Sequence, residues 1–369
     1  MNNSSGRRRD VTVADVAKEA QVSKAQAARA LGDYGAVSDE VRERVLAAAE
    51  TLNYRPNELA RTMNTGKSHT IGVVVGDIEN PHFGLAMRGI SDTAKASGFD
   101  VILINTGENL DAEVDAVRVL LDKRVDGFIV APVSSPDSEH LHRVQESGRP
   151  LVLFDRKVSG LDVDVVAVDM TAVARESTAE LIDAGHERIA FISTYRSEQA
   201  FRHGLTITSS PIAERLAGME LAFQKARLPF PDDLVRFNAG DPTSVAQITK
   251  DLLLDSRAAT AIVASDGLIA LGVVEEIQKL GLEIPKDISF LMYDDFAWTR
   301  LIRPPLTVIS QPVYEMGAAA ATAVVRKIQR TSTGTKTPDF KAKLVNRGSV
   351  GRAKSIKSAN MCPEIYGAL

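Results

Sequence analysis

The sequence predicts an α/β protein: a small N-terminal helical domain followed by two doubly wound parallel-sheet subdomains. The stretch Thr12–Met63 carries short amphipathic segments with helix-capping residues and no strand pattern. From Thr70 onward, short apolar runs alternate with helical stretches, as in βαβ units whose strands are buried on both faces. The alternation passes through two consecutive rounds, which predicts two sheets with a ligand cleft between them.

Three short helices are predicted in the N-terminal stretch. Thr12 is the expected N-cap of the first helix, and Asp15 can complete a capping box with it. Ser23 is expected to cap a second helix from Lys24 to about Leu31, and Ser38 to cap a third. The buried side of the third helix is predicted to carry five apolar residues: Val41, Val45, Leu46, Ala49 and Leu52.

Two short helices across a tight turn, braced by a third helix, form a helix-turn-helix arrangement. Its second helix enters the DNA major groove with its N-terminal residues at the base edges. The outward residues of that helix are Lys24, Ala25, Gln26 and Arg29; Lys and Arg suit guanine or phosphate, and Gln suits adenine. A plain three-helix bundle with a solvated polar face has the same periodicity, so the pattern alone leaves both interpretations open.

Composition is that of a globular chain with room for two or three domains. The 369 residues are 44% hydrophobic and 25% charged, with a formal net charge of −4. Residues 1–68 hold 11 Lys/Arg and 9 Asp/Glu, a formal +2, so the remainder carries −6. A mildly basic N-terminal end is compatible with a DNA partner, although phosphate affinity depends on local placement of cations.

The single cysteine, Cys362, predicts no internal disulfide and is consistent with a reducing cytoplasm. No apolar run approaches the roughly 18–20 residues that cross a membrane, so no membrane partner is expected. The opening residues 1–10 include Arg7-Arg8-Arg9 and lack the apolar core of a secretory signal; we expect a disordered basic tail.

Polar residues at predicted strand ends are the candidate ligand contacts. Asn80 can hydrogen-bond a hydroxyl group, and Phe83 can stack on the apolar face of a sugar. Asp155-Arg156 and Asp294 follow later strands and offer paired acceptors and donors for a polyol. A satisfied strand-end cap or a salt bridge between lobes is the alternative for each of them.

Catalytic and cofactor motifs are absent from the sequence. There is no GxGxxG or GxxxxGK[ST] element, and the six histidines lack metal-ligand spacing. Nothing assembles a nucleophile with a base, so we expect a binding cleft without catalysis, cofactor or metal.

Three strings carry a family resemblance: TVADVAKEAQVSKAQAARAL (12–31), VSDEVRERVLAAAETLNYRPNELARTM (37–63) and HTIGVVVGDIENPHF (69–83). Together they closely resemble the LacI/GalR family of bacterial transcription regulators, from about Val11 to about Ser349. The resemblance implies a helix-turn-helix headpiece plus a two-lobed periplasmic-binding-protein-like core. It also implies a cytoplasmic homodimer, a repressor on a pseudo-palindromic double-stranded DNA operator, whose affinity is controlled by a small molecule such as a sugar.

The resemblance assigns DNA contacts. Lys24, Ala25 and Arg29 match base-contacting positions, whereas Ala27 and Ala28 depart from the usual valine and serine or threonine. Asn57–Met63 matches the hinge helix that lies in the minor groove, with Met63 at the place of a wedging leucine. The expected DNA-binding residues are Thr12, Ser23, Lys24, Ala25, Gln26, Arg29, Asn57, Ala60, Arg61 and Met63.

The resemblance also assigns effector contacts and reveals departures. His82 stands where the family commonly has an aromatic residue, and Ser265 where many relatives have asparagine. The frequent effector-binding arginine falls on Ala213, and the loop Thr194–Pro211 is longer than usual. This loop brings Arg196, Arg202 and His203, which could replace that arginine from a different direction and would favour a sugar acid or sugar phosphate; Arg202 is the residue we expect to contact the effector. The expected effector contacts are Asn80, His82, Phe83, Asp155, Arg156, Arg202, Ser265, Asp294 and Gln311.

Domain boundaries follow from these elements. The expected divisions are the tail 1–10, the helix-turn-helix domain 11–55, the hinge helix and linker 56–69, the core 70–350 and a tail 351–369. Within the core, the N-lobe is predicted to contain 70–162 and 296–311, and the C-lobe 163–295 and 312–350. The chain is expected to cross between lobes near 162–168, 293–297 and 306–311.

Three other interpretations stay open. A ligand-independent or activating regulator of carbon metabolism would use the same DNA-binding residues. A solute-binding receptor would share the two-lobed core but would need no headpiece. An α/β enzyme with an appended DNA domain would need a catalytic constellation in the cleft.

Overall fold

The computed structural model describes residues 11–32, 35–54, 66–133, 136, 138–331 and 338–354. The basic tail, the hinge residues Asn57, Ala60, Arg61 and Met63, and most of the C-terminal tail lie outside these ranges, and the predictions for them stay predictions. The chain divides into two compact units, Met1–His69 and Thr70–Leu369. Among the described residues, no helix combines the length and apolarity needed to cross a membrane.

The first unit contains three helices: α1 (Val13–Glu19), α2 (Lys24–Gly32) and α3 (Asp39–Thr51). The predicted capping box is confirmed, because the Thr12 backbone N–H donates to Asp15 Oδ2 at 2.8 Å and Asp15 N–H donates to Thr12 Oγ1. Ser23 precedes α2, where its Oγ accepts from the backbone N–H of Gln26 at 3.2 Å. These caps satisfy backbone donors that a helix start would otherwise leave unpaired.

Small residues form the core of this unit. Val16, Ala27 and Val45 are fully buried where the three helices meet. Ala27, where the resemblance expects a bulkier valine, thus lies in the core of this unit. Leu46, predicted on the buried side of α3, is 51% exposed because it points about 100° away from the stripe that begins at Val45.

The N-lobe of the second unit is a five-stranded, all-parallel sheet in the order β2-β1-β3-β4-β5. Four helices accompany it, and the last comes from much later in the chain. The elements are β1 (Thr70–Val75), α4 (Pro81–Ala96), β2 (Asp100–Asn105), α5 (Leu110–Asp122), β3 (Gly127–Val130), α6 (Glu139–Glu146), β4 (Leu151–Phe154), β5 (Asp164–Val166) and α11 (Val313–Ile328).

The C-lobe is a six-stranded sheet in the order β11-β10-β9-β8-β6-β7, antiparallel only at β11. Two 3₁₀ turns, Asp232–Leu234 and Ala297–Arg300, accompany it. Its elements are α7 (Thr171–Asp183), β6 (Ile189–Ile192), α8 (Ser210–Ala226), β7 (Val235–Arg236), α9 (Pro242–Leu254), β8 (Ala261–Ala264), α10 (Gly267–Lys279), β9 (Ser289–Tyr293), β10 (Thr307–Ser310) and β11 (Lys343–Val345).

The predicted division into lobes is wrong in its C-terminal third. Strand β10 pairs with β9 and β11 in the C-lobe, although 296–311 was assigned to the N-lobe. Helix α11 packs on α4 and on strands β3 to β5 of the N-lobe, although 312–350 was assigned to the C-lobe. The chain therefore crosses between lobes after β5, after β10 and after α11; residues 293–297 stay within the C-lobe.

The placement of α11 depends on two glycines. A Cβ atom at Gly89 of α4 would collide with the backbone oxygen of Tyr314, and one at Gly317 with the backbone oxygen of Ala86. Because neither glycine has a side chain, the two helices approach to backbone contact. This approach anchors a late segment of the chain on the first lobe.

Candidate functional site

A cavity of about 510 Å³ lies between the two lobes at the carboxyl ends of their strands. Asp77 and Asp155 contribute from the ends of β1 and β4 in the N-lobe, and Asp294 from the end of β9 in the C-lobe. Parallel sheets bind ligands at this edge because loops from several strands converge there. Its volume is typical of small-molecule sites, which span roughly 300–1,000 Å³.

Asp155 and Asp294 occupy equivalent positions in the two lobes. Both have left-handed backbone, with φ of 65° and 73°. The backbone N–H of Asp155 donates to Val166 O, and that of Asp294 to Ile309 O, each at 2.8 Å. Left-handed backbone is costly for a residue other than glycine and recurs at functional sites. Here it aims one carboxylate from each lobe into the same cavity.

His82 lies between these two carboxylates. It is the second residue of α4, with Nε2 3.6 Å from Asp155 Oδ1 and Nδ1 3.5 Å from Asp294 Oδ1. Burial lowers the pKa of His82, but the carboxylates of Asp294 and Asp155 outweigh burial and raise that pKa above its ordinary value. A protonated His82 therefore links the N-lobe to the C-lobe through Asp294.

Asp294 has further support. The Gln311 side chain donates Nε2–H to Asp294 Oδ1 at 2.8 Å. Burial raises the pKa of Asp294, but His82, Arg215 and Gln311 together lower it below its usual value. The carboxylate is thus ionised. Gln311 does not itself line the cavity but hydrogen-bonds the Asp294 side chain that does.

Arg215 is the cavity residue that the sequence analysis missed. Its guanidinium lies 4.0 Å above the Tyr293 ring centroid, and its Nη1–H donates to Ser265 O at 3.0 Å. The residue is only 7% exposed. A signal was present in the sequence: Arg215 follows the helical spacing of the buried Met219 and Ala222, so it had to be an arginine on a buried face.

Asp266 is a buried acid of the cavity wall whose pKa lies above its ordinary value. Burial raises its pKa, although two backbone N–H groups of α10 and Arg215 favour its ionised form. Its Oδ2 also accepts from Ser265 Oγ at 3.0 Å. Ser265 thereby lines the cavity as predicted, but its hydroxyl group already donates its hydrogen to Asp266.

Arg156 is held by a neighbouring acid. It makes a two-pronged ion pair with Glu108, with nitrogen–oxygen distances of 2.6 and 2.7 Å, and donates to Pro132 O. Burial lowers the pKa of Arg156, but Glu108, with smaller help from Asp155 and Glu113, outweighs burial and raises the pKa, so Arg156 stays charged. Both residues line the cavity on the N-lobe side.

Most of the predicted effector residues meet at this cavity. Its walls include seven of them: Asn80, His82, Phe83, Asp155, Arg156, Ser265 and Asp294. Arg202 does not line it and is exposed in the loop before α8, so its effector contact stays a prediction that the cavity does not support. Of the other candidates in this loop, Arg196 lies at the cavity wall, together with Tyr195 and Thr208.

Unpartnered polar atoms concentrate here. Among the described residues, the buried side-chain nitrogen and oxygen atoms without a hydrogen-bond partner are His82 Nε2, Arg156 Nε, Arg215 Nε and Gln311 Oε1. Such atoms are rare in proteins, since an unpaired buried polar group costs about 1–3 kcal/mol. All four lie in the cavity wall or directly behind it. The described residues contain no group of three or more His, Cys, Asp or Glu arranged for a metal ion.

Helix α2 places the predicted base-contacting residues on the surface of the first unit. Lys24 and Ala25 are exposed at its start, and Arg29 is half-buried, with Nη1 3.5 Å from Ala36 O. Gln26 differs from expectation, because its Oε1 accepts from both the N–H and the Oγ of Ser23, at 3.0 and 2.9 Å. A two-point contact with adenine would require this capping arrangement to open.

A DNA-facing helical unit joined to a two-lobed ligand cavity defines the class: a ligand-responsive DNA-binding regulator. Residues 12–57 match the family of bacterial regulatory proteins of the lacI type. Residues 68–347 match the periplasmic binding proteins and sugar-binding domain of the LacI family. The chain belongs to the LacI family of transcription regulators.

Individual relatives agree with this assignment. The chain is 33% identical to catabolite control protein A of Priestia megaterium over 313 residues, covering 84% of this chain and 90% of that protein. It is 30% identical to the transcriptional regulator KdgR of Bacillus subtilis, covering 92% and 97%. These relatives are transcription regulators, not enzymes.

Solved structures give the same picture. A lac repressor dimer bound to operator and the anti-inducer ONPF superposes with a TM-score of 0.76 at 25% identity, covering 93% of this chain and 100% of that one. A LacI family regulator from Enterococcus faecium with bound ribose superposes with a TM-score of 0.66 at 28% identity, covering 77% and 100%.

Proposed function

We propose that this protein is a cytoplasmic repressor that binds a pseudo-palindromic operator as a homodimer and releases or retains it according to a sugar or sugar derivative bound between its lobes. Helix α2 enters the major groove, where Lys24 and Arg29 contact bases or phosphate. Asn57, Ala60, Arg61 and Met63 act in the minor groove as the hinge.

The observation that carries the ligand part is the set of unpartnered buried atoms at the cavity. Arg215 Nε, Arg156 Nε and His82 Nε2 make no hydrogen bond within the protein. The latter two lie at ion-pair distance from Asp155, at 3.7 and 3.6 Å, which is too long for a hydrogen bond and leaves both free to donate to a ligand. Asp155 and Asp294 supply acceptors beside them. A polyol matches both, because each hydroxyl group donates one hydrogen bond and accepts others. Ribose in the Enterococcus faecium relative supports the same ligand class.

Phe83 supplies the apolar part of this site. It is 3% exposed, lines the cavity and meets the His82 ring edge-on at 5.4 Å between centroids. Sugar rings present C–H faces as well as hydroxyl groups, so a buried aromatic surface beside charged groups suits them. His82 is engaged by two carboxylates and not by a nucleophilic hydroxyl or thiol, which supports binding without catalysis.

Ligand control requires a difference in affinity between two states of the protein. His82 and Asp155 belong to the N-lobe, and Asp294 and Arg215 to the C-lobe, so a ligand touching both sets changes in affinity when the lobes move. The same groups that recognise the sugar thereby bias operator binding.

One experiment tests both parts of the proposal. Operators would be selected from random duplex DNA, and binding followed by fluorescence anisotropy with and without a panel of sugars, sugar acids and sugar phosphates. Lys24→Ala should weaken binding to the selected site by about 1–3 kcal/mol, the usual value of one base contact. Lys18→Ala on the exposed end of α1 is the matched control and should change binding to all sequences alike.

The same anisotropy assay measures the effect of the sugar on operator affinity. We expect one sugar class to shift operator affinity in the wild type and to lose that effect in Asp294→Ala. Failure to select any preferred DNA sequence would refute the DNA assignment. A sugar effect that persists undiminished in Asp294→Ala would refute the cavity assignment.

A further inference from the structure

A second, outer chamber of about 460 Å³ adjoins the cavity on the C-lobe side. The two chambers share Thr194, Arg196 and Gly240 in their walls, so they are direct neighbours. The outer chamber is open to solvent, whereas the inner one includes buried charged groups such as His82 and Asp294. A buried chamber therefore lies beside an exposed one.

The loop that forms the outer chamber is rigidly held. Asn238 clamps it from the neighbouring strand end: Ser197 N–H donates to Asn238 Oδ1 at 3.0 Å, and Asn238 Nδ2–H donates to Ser197 O at 2.8 Å. Asn238 itself has left-handed backbone, with φ of 61°. A third bond runs from Asn238 N–H to Tyr195 O at 2.9 Å. The chamber is thus formed before any ligand arrives.

Aromatic side chains also pack against one another to hold the same loop. The Tyr195 ring meets Phe237 edge-on at 5.1 Å, and Phe201, farther along the loop, meets Phe237 at 6.1 Å. The Tyr195 hydroxyl lies 3.2 Å from Thr208 Oγ1, which closes the two ends of the loop on each other. A loop ordered in advance costs a ligand less entropy on binding.

The outer chamber is lined by polar groups of both charges. Arg196 is exposed, and no hydrogen bond or ion pair joins its guanidinium to another described residue. Glu198 adds a carboxylate, whereas the Asp241 side chain is already bonded to the backbone at the start of α9. Donors and acceptors in near balance suit hydroxyl groups better than a phosphate, which would meet one cation beside two acids.

We propose that this site takes an oligosaccharide of at least two linked sugar units, with one unit in the inner chamber and the next in the outer chamber against Arg196. This inference rests on the proposed function and deepens it by naming ligand length. It also replaces the expectation of an anionic sugar, because the outer chamber carries no excess of positive charge. Arg196 acts as a hydrogen-bond donor to the second unit's hydroxyl groups.

The test is isothermal titration of the full-length protein with a length series: single hexoses and pentoses, then disaccharides and trisaccharides of the same units in α and β linkage. We expect the best disaccharide to bind roughly tenfold or more tightly than its constituent monosaccharide, the factor that one hydrogen bond to a charged group commonly supplies. Arg196→Ala should bring the ratio of disaccharide to monosaccharide affinity close to one. Because Arg196 also lines the inner chamber, the readout is this ratio within each variant and not the monosaccharide affinity alone.

Arg202→Ala is the matched control, because Arg202 is an exposed arginine of the same loop that lines neither chamber. It should retain the full disaccharide advantage. Equal affinity for monosaccharide and disaccharide, or a disaccharide advantage that survives Arg196→Ala, would overturn this inference while leaving the sugar-binding proposal in place. Absence of binding by sugars of every length would overturn both.

Discussion

The two chambers of the cleft differ in how they are built. The inner chamber takes its charged groups from both lobes and buries them, as with His82 from one lobe and Asp294 from the other. The outer chamber takes Arg196, Glu198 and Asn238 from the C-lobe alone and leaves its cation exposed. Only a ligand group that contacts both lobes changes in affinity when they move, so we expect the inner chamber to couple sugar binding to DNA binding and the outer chamber to add affinity.

The largest expected effect comes from removing the buried cation of the inner chamber. Arg215→Met should lower the free energy of unfolding of the core by about 2–3 kcal/mol, because Ser265 O would lose its charged donor and the nearby carboxylates of Asp266 and Asp294 would lose a positive charge that favours their ionised forms. Urea unfolding monitored by circular dichroism measures this. Arg202→Met deletes the same charge from the surface and should stay close to wild type; equal losses in both variants would contradict a stabilising role of the buried guanidinium.

His82 should give the next largest effect, and its effect should depend on pH. The native pKa of His82 is raised above 6.5, so protonated His82 stabilises the fold fully below pH 6.5 and loses this contribution as pH rises through the raised native pKa. His82→Gln should therefore cost about 2 kcal/mol at pH 6, in the range of hydrogen bonds to charged groups. The cost should shrink as pH rises.

The measurement is the difference in unfolding free energy between wild type and His82→Gln across pH 5 to 9. Taking the difference removes the contribution of His186, whose lowered pKa makes it act in the opposite direction. A difference that does not change with pH would show that His82 is neutral in the folded protein.

The clamp in the outer chamber should have a smaller effect. Asn238→Gly keeps the left-handed backbone but removes both side-chain bonds to Ser197. We expect affinity for the longest sugar that binds to fall by about 1 kcal/mol, since the loop must then be ordered on binding. Monosaccharide affinity, measured by the same titration, should not change. A matching loss for both lengths would place the clamp in the inner site.

The smallest expected effect is that of Arg196→Ala, and it tests most directly whether the two chambers have different roles. Arg196→Ala should leave unfolding free energy within about 0.5 kcal/mol of wild type, because the residue is exposed. At saturating sugar, the ratio of operator affinities with and without ligand should equal the wild-type ratio. A changed ratio, measured by anisotropy, would show that the outer chamber also senses lobe position.

Local patterns in the sequence determined much of this protein. Capping residues such as Thr12 and Ser23, the helix and strand spans and the strand-end acids Asp155 and Asp294 depend on neighbours a few residues away, so periodicity and residue type predict them. The start of α4 has the same local cause, because Asn80 caps the helix and Pro81 occupies the first turn, where proline is favoured.

The tertiary structure decided what brings distant segments together. Which lobe holds α11 and β10 depends on crossings between sheets and on the contact at Gly89, which no local pattern records. Arg215 became a site residue only beside Ser265 and Tyr293, which lie far along the chain. The exposure of Arg202 and the position of Arg196 at the cavity wall depend on the path of a loop that Asn238 holds from a distant part of the chain. Local structure depends on residues close in sequence, whereas a site between lobes depends on contacts between residues that are far apart in the sequence.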